Sequence, residues 1–385
     1  MKVALVTSRY PSHDGGLERP VRELARGLMR RGASVEVITP ECEPRMRRES
    51  RLEGVLVRRF PGPDHHNARF PVTAALSEHL RRTAGAFDLV HVHSAHVLLG
   101  LAAIRARPRR LVYSPLTPMA RLLCWPYGRA TRSVVDRAAL TICATRADAD
   151  VLCGACPEAA DRVLVVPLGI DAAAIQAAAP FSALSTVVLT VGRLERRKRV
   201  DRAIAAMASL PPMFELVVVG DGHARRRLMG HAADLAVSSR VRFAGPVADA
   251  ELHRWLRTAR LVVALSEEEA FGLQVLEGIA AGAWVVASDI PAHREVSHHV
   301  GDLGITFVSP EGSPLEVAEA IRHAVAIPAP APARSLPSWA EVVDRTLALY
   351  EELMRRRPTD AARRARHGRP RPLERRDPRD VAVEG

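Results

Sequence analysis

The stretch TVVLTVGRLERRKRVDRAIAAMASLPPMFELVVVGDG, residues 186–222, decides the fold. Thr186–Val191 is a short apolar run rich in β-branched side chains, the pattern of a strand buried on both faces. Gly192 and Arg193 break the run. From about Val200 to Leu210 apolar residues recur at helical spacing. Glu215–Val219 is then a second apolar strand, ending at Gly220, Asp221 and Gly222. Strand, glycine-bearing turn, helix, strand is the unit from which parallel sheets are assembled.

The N-terminus repeats this plan. Val3–Thr7 reads as a strand, Gly15 and Gly16 as its turn, and a helix is predicted from about Leu17 to Arg31, with Leu17, Val21, Leu24, Leu28 and Met29 on one face. Gly32 stops it and Ser34–Thr39 returns as a strand. Further strand-like runs are Asp88–His93, Leu111–Tyr113, Leu140–Ala144, Val163–Pro167, Val241–Ala244, Leu261–Leu265 and Trp284–Ala287. The expected class is therefore α/β, with two doubly wound, Rossmann-like domains facing a central cleft. The N-terminal domain is expected over residues 1–180 and the C-terminal one over 181–330, with the boundary in an Ala/Pro stretch near Pro180–Ser185. Residues 331–356 are read as a linker and one last helix, Trp339–Arg355, with Ser338 as its cap and the first domain as a surface to pack back on. Residues 357–385 are read as a disordered basic tail.

Composition narrows the function. The 385 residues are 48% hydrophobic, enough for two cores. No apolar run approaches the roughly 18 residues a spanning helix needs. The opening MKVALVT is too short for a signal peptide, so the expected location is the cytoplasm. Five scattered cysteines make no disulfide framework, and the lone pair Cys153 and Cys156 has no second pair to complete a zinc site. The net charge of +12 is lopsided: residues 355–385 hold eleven arginines against five acids, half the excess. That tail, and the basic surface generally, suit peripheral association with an anionic membrane, such as the inner face of the plasma membrane. Specific nucleic-acid binding is not expected, because aromatics are only 4% and no stacking stripe is visible.

Chemistry concentrates after the strands of the second domain. Lys2 and Lys198 are the only lysines among 55 basic residues. Arg193 and Lys198, following a glycine turn, suit a pyrophosphate whose charge grows as it leaves. The segment EAFGLQVLE, 269–277, runs from an acidic loop through a turn at Gly272 into a helix starting near Leu273. Its carboxylates Glu269 and Glu277 are suited to accept hydrogen bonds from sugar and ribose hydroxyls. The backbone around Phe271, Gly272 and Leu273 offers N–H groups to phosphate. In the first domain, Gly15 and Gly16 allow close approach of backbone to phosphate, and no GxGxxG dinucleotide fingerprint is present. His91 and His93 share one strand face, with His93 at the carboxyl end toward the cleft.

These residues together resemble the retaining glycosyltransferases of family 4, with the GT-B fold. The resemblance is carried by YPSHDGGLE (10–18), DLVHVH (88–93), PLGID (167–171), VGRL (191–194), the Glu269-x7-Glu277 element and AGAWVVASD (281–289). It implies that Arg193 and Lys198 neutralise the donor diphosphate, Glu277 binds the ribose, and Glu269 the hydroxyls of the transferred sugar. It also implies that Gly16 lies against phosphate or acceptor, that His93 contacts the sugar, and that no metal or other cofactor is required. The implied donor is a nucleotide-sugar (GDP-mannose, UDP-glucose or a UDP-N-acetylhexosamine), and the partner a hydroxyl acceptor: a lipid carrier, a polysaccharide or a small molecule.

The departures are Leu168 for an Asn, Pro20 in the first turn of a helix, Arg199 for a Gly, and DIPAHRE (289–295) for a Gly-Gly loop. The competing readings are a sugar-nucleotide epimerase or glycoside phosphorylase on the same fold, or a non-catalytic binder. Met119–Tyr127 is read as a packed helix that could instead line an acceptor site or rest on lipid.

Overall fold

Two parallel sheets organise the chain. The computed structural model describes residues 1–10, 18–41, 47–61, 72–94, 97–124, 126–182, 186–300, 304–328 and 336–356. The first sheet is built from β1 (Lys2–Thr7), β2 (Ser34–Glu41), β3 (Glu49–Leu52), β4 (Val55–Pro61), β5 (Leu89–Ser94), β6 (Leu111–Pro115), β7 (Leu140–Cys143) and β8 (Val163–Val165). Their order is β3-β4-β2-β1-β5-β6-β7-β8, and only β3 with β4 is antiparallel. The second sheet is built from β9 (Thr186–Val191), β10 (Phe214–Val219), β11 (Val241–Gly245), β12 (Leu261–Ala264), β13 (Trp284–Ser288) and β14 (Ile305–Val308), in the order β11-β10-β9-β12-β13-β14. Its pairs are all parallel.

The strand order reverses between β1 and β5 in one sheet and between β9 and β12 in the other. Ligands bind such sheets outside the carboxyl ends at these switch points. Burial explains the apolar strands: every residue of β5, β6, β7 and β12 is buried, including His91 and His93.

Several expected elements end early for local reasons. The helix after β9 spans Val200–Met207, short of Leu210, because Pro211 and Pro212 follow. β8 stops at Val165, two residues before Pro167. The helix Glu18–Arg30 tolerates Pro20 in its first turn, where no intrahelical N–H bond is lost. Leu17, Gly15, Gly16, Trp125 and the tail 357–385 lie outside the described residues. The Met119–Leu123 helix buries Met119 and Leu122 in the first core, as a packed helix should.

The terminal helix Trp339–Arg355 begins with a capping box between Ser338 and Glu341. It lies against the helix Glu18–Arg30, where Arg31 Nε meets Asp344 Oδ1 at 2.5 Å. Its last carbonyls accept from Arg110, Nε to Leu353 O at 3.0 Å and Nη2 to Met354 O at 3.2 Å.

Candidate active site

The second sheet's switch point carries three glycine turns. Gly192 ends β9 at φ 142°, Gly220 ends β10 at φ 120°, and Gly272 starts the helix Leu273–Ala280 at φ 100°. A β-carbon on Gly220 would overlap the carbonyl oxygen of Gly192, so the second loop can approach the first this closely only with glycine at 220. The helix start at Gly272 has no side-chain cap, which leaves its first N–H groups facing outward.

Around these turns the charges pair. Lys198 Nζ donates to Glu269 Oε1, and Ser266 Oγ donates to the same oxygen at 2.7 Å. Less than a fifth of either the Lys198 or the Glu269 side chain is exposed. Burial opposes ionisation of Glu269, but Lys198, His293 and the Ser266 hydroxyl outweigh it and hold its carboxyl at about 2. Arg193 Nη1 pairs with Glu195 Oε1 at 2.8 Å, while its burial pulls the guanidinium pKa below its ordinary value. Glu18 and Arg9 of the first domain reach Arg193 electrostatically, so it stands at the cleft.

The structure brings Lys198 and Glu269 together and places Gly272 beside His293, whose Cδ2 would crowd a β-carbon there. Leu273 opens the helix. Phe271 enters the expected phosphate contact through its backbone; the residue is 2% exposed, its side chain packed with Val275 and Leu276 in the second core. Only its backbone remains for a ligand, because Gly272 turns the chain and sends the ring inward.

His93 is buried and its ring lies against His91, centroids 3.8 Å apart. Its Nε2 is 3.1 Å from His91 Nδ1, and that atom also meets the Tyr350 hydroxyl. His91 Nε2 bonds Ser114 Oγ at 2.8 Å. Among the described residues, His93 Nδ1 has no hydrogen-bond partner. Burial depresses both imidazoles, His93 to about 3, so both rings are neutral at physiological pH.

Glu277 is 4% exposed and pairs with Arg19, the second residue of the first-domain helix Glu18–Arg30. Arg19 also donates to Asp249 Oδ1 at 2.8 Å. Neither Arg19 nor Asp249 was expected from sequence. They lie 230 residues apart, and no local spacing signals such a contact. Among the described residues, no group of three or more His, Cys, Asp or Glu side chains is arranged to hold a metal ion. No helix among them is long and apolar enough to cross a membrane.

Comparison with known proteins bears on the family and the fold. Residues 14–174 match the family described as Glycosyltransferase Family 4, and residues 174–334 the one described as Glycosyl transferases group 1. The chain is 31% identical to D-inositol 3-phosphate glycosyltransferase 1 of Catenulispora acidiphila, over 87% of this chain and 90% of the relative. It is 30% identical to the D-inositol 3-phosphate glycosyltransferase of Mycolicibacterium smegmatis, over 91% and 90%. Among solved structures, sucrose-phosphate synthase from Thermosynechococcus elongatus superposes with a TM-score of 0.74 at 20% identity, covering 92% of this chain and 99% of that one. Anabaena HepE in complex with UDP-glucose gives 0.67 at 19%, covering 95% and 99%.

Proposed function

The chain belongs to glycosyltransferase family 4 and is a nucleotide-sugar-dependent transferase of GT-B fold, and from that premise we propose how its residues divide the work. The observation that carries the proposal is the Lys198–Glu269 pair set beside the uncapped helix start at Gly272. A donor diphosphate fits the exposed N–H groups there, and Arg193 and Lys198 supply its countercharge. As Lys198 turns to phosphate, Glu269 is released to accept hydrogen bonds from hydroxyls of the hexosyl group. Glu277 takes the ribose hydroxyls. His93, neutral and with Nδ1 unengaged, offers a hydrogen bond to the sugar rather than a proton for catalysis. Gly15 and Gly16 are assigned to backbone contact with phosphate.

In this reading the bond from the anomeric carbon to the β-phosphate oxygen breaks and a bond to the acceptor oxygen forms on the same face. The acceptor's proton passes to the departing phosphate oxygen, so configuration is retained and neither a metal nor another cofactor is needed. The names of the relatives make D-inositol 3-phosphate the first acceptor to try, and the neighbours' ligands make UDP-glucose the first donor, ahead of GDP-mannose and UDP-N-acetylhexosamines. Product analysis separates this from epimerase or phosphorylase chemistry. Net transfer to a hydroxyl supports it; isomerised donor or free sugar phosphate contradicts it.

Peripheral attachment to an anionic membrane is supported by the exposed Tyr127, Arg129, Arg132 and Arg137 on and before the helix Gly128–Arg137, where Asp136 is the one exposed acid among them. Co-sedimentation with anionic vesicles, lost in the double variant R129E/R132E, is the expected result. Equal sedimentation of both proteins contradicts this attachment.

A further inference from the structure

Several contacts across the cleft among the described residues share one polarity: donors on the first domain meet carboxylates on the second. Arg121 Nη1 reaches Glu268 Oε1 at 2.6 Å. The backbone N–H of Arg146 donates to Glu295 at 2.5 and 2.7 Å, and that of Ala147 at 3.2 Å, so a second-domain carboxylate caps a first-domain helix. Asp249 accepts from two arginines of the helix Glu18–Arg30: Arg19 Nη2 and Arg22 Nη2, each at 2.8 Å. Arg19 differs from the others because its second arm, Nη1, reaches Glu277 Oε1. One guanidinium of the first domain thus joins two carboxylates from separate helices of the second.

We propose that Arg19 is a positioning residue of the donor site supplied by the opposite domain: it fixes and counter-charges Glu277, so that the ribose-binding carboxylate is complete only when the domains are closed. The proposal rests on the reading that Glu277 takes the ribose.

Glu277 cannot easily carry its charge alone. Burial raises its carboxyl pKa and Asp249 adds to that rise, while Arg19 opposes both by its charge and its hydrogen bond. Among the described residues, the other charged or titratable groups around it are Arg22 behind Asp249, His253 on the helix Asp249–Thr258, and Asp171 before the helix Ala172–Ala177. At the far end of its own helix His293 sits by Gly272 and Glu269. None of these replaces Arg19 as a cation at the carboxylate. A protonated Glu277 would give one donor and lose accepting capacity; an ionised one, with Arg19 on Oε1, keeps sites for two hydroxyls. Because Arg19 comes from the other domain, donor binding and domain closure are linked, and each favours the other by the same factor.

The test measures the affinity of UDP, GDP and ADP for wild type, R19A, R19K and E277A by calorimetry from pH 5.5 to 8, following whichever nucleotide wild type binds most tightly. The expected result for R19A is at least ten-fold weaker binding at pH 7.5. Relative to wild type, its loss should deepen as pH falls, because Glu277 without Arg19 takes up a proton at higher pH. R19K should recover most of the affinity and the wild-type pH profile. Wild-type affinity in R19A, or a loss with no added pH dependence, overturns the proposal while leaving Glu277 in its role. Undiminished binding by E277A, or no binding by wild type, removes the ribose reading itself and the proposal with it.

Discussion

Gly27 of the helix Glu18–Arg30 and Val343 of the terminal helix meet with no room for a β-carbon between them, since one placed on Gly27 would overlap Val343 Cγ2. That closeness seats the last helix on the first domain and lets its Tyr350 hydroxyl reach His91 behind the cleft. Gly27→Ala is therefore expected to cost about 1–3 kcal/mol through overpacking. Urea unfolding of the two proteins checks it, and a difference below a few tenths of a kcal/mol would show that the helices slide apart freely.

Arg199 marks a place where the chain departs from the glycine its relatives' pattern favours. It sits at φ 49°, ψ 36°, in the left-handed region, between Lys198 and the helix Val200–Met207. A non-glycine residue there costs roughly 1–2 kcal/mol. Its partly exposed pairs, with Glu267 at 3.1 Å and Asp201 at 3.4 Å, return only a fraction of that. Arg199→Gly should raise the urea midpoint, by about 1 kcal/mol in stability. A lowered midpoint would mean that the ion pairs outweigh the strain.

The buried imidazoles predict an acid-side loss of stability. His93 has a folded pKa of about 3 against an ordinary 6.5, so the unfolded chain binds the proton first as pH falls. Stability tied to His93 is full above pH 6.5 and is lost below it, at up to about 1.4 kcal/mol per pH unit per histidine. His91, also held low by burial, behaves alike. Denaturation at pH 6.5, 6.0, 5.5 and 5.0 should show a shallower slope for His93→Asn than for wild type. Identical slopes would mean that His93 is already charged in the folded protein.

Lys198 and Glu269 should separate stability from activity. Lys198→Met leaves a largely buried carboxylate without its cation, at a cost of about 1–3 kcal/mol. Adding Glu269→Gln should restore stability, because the stranded charge is gone, but not turnover. Loss of a donor aimed at the leaving group typically costs 10²–10³ in kcat. Recovery of activity in the double variant would contradict the assigned roles.

What could be read from sequence follows from how each feature is encoded. Strands such as Thr186–Val191 and Leu261–Ala264 are buried on both faces, so their apolar runs stand out locally. The antiparallel β3, Glu49–Leu52, was not expected: it is a four-residue edge strand with one apolar side chain. Its trace lay in the turn to β4, where Glu53 and Gly54 both have positive φ, as a two-residue hairpin requires. β4, Val55–Pro61, was not expected either, because two arginines and a proline interrupt its apolar run, and in β14 only Val308 is fully buried. At the candidate site, Lys198, Glu269 and Glu277 stand out by composition and spacing, and Phe271 enters only through its backbone beside Gly272, since its side chain is buried in the core. The Arg19–Asp249 contact joins two domains and leaves no local pattern to find.

The most direct test of the account is the thermal stability of the purified protein against UDP, GDP and ADP, repeated with Glu277→Ala and Lys198→Ala. Ligand at about 100 times its dissociation constant stabilises the native state by roughly 2.7 kcal/mol, a readily measured rise in melting temperature. A rise is expected with at least one nucleotide, lost in both variants. No rise with any of the three, or a rise that both variants keep, would contradict a donor site built on Lys198 and Glu277.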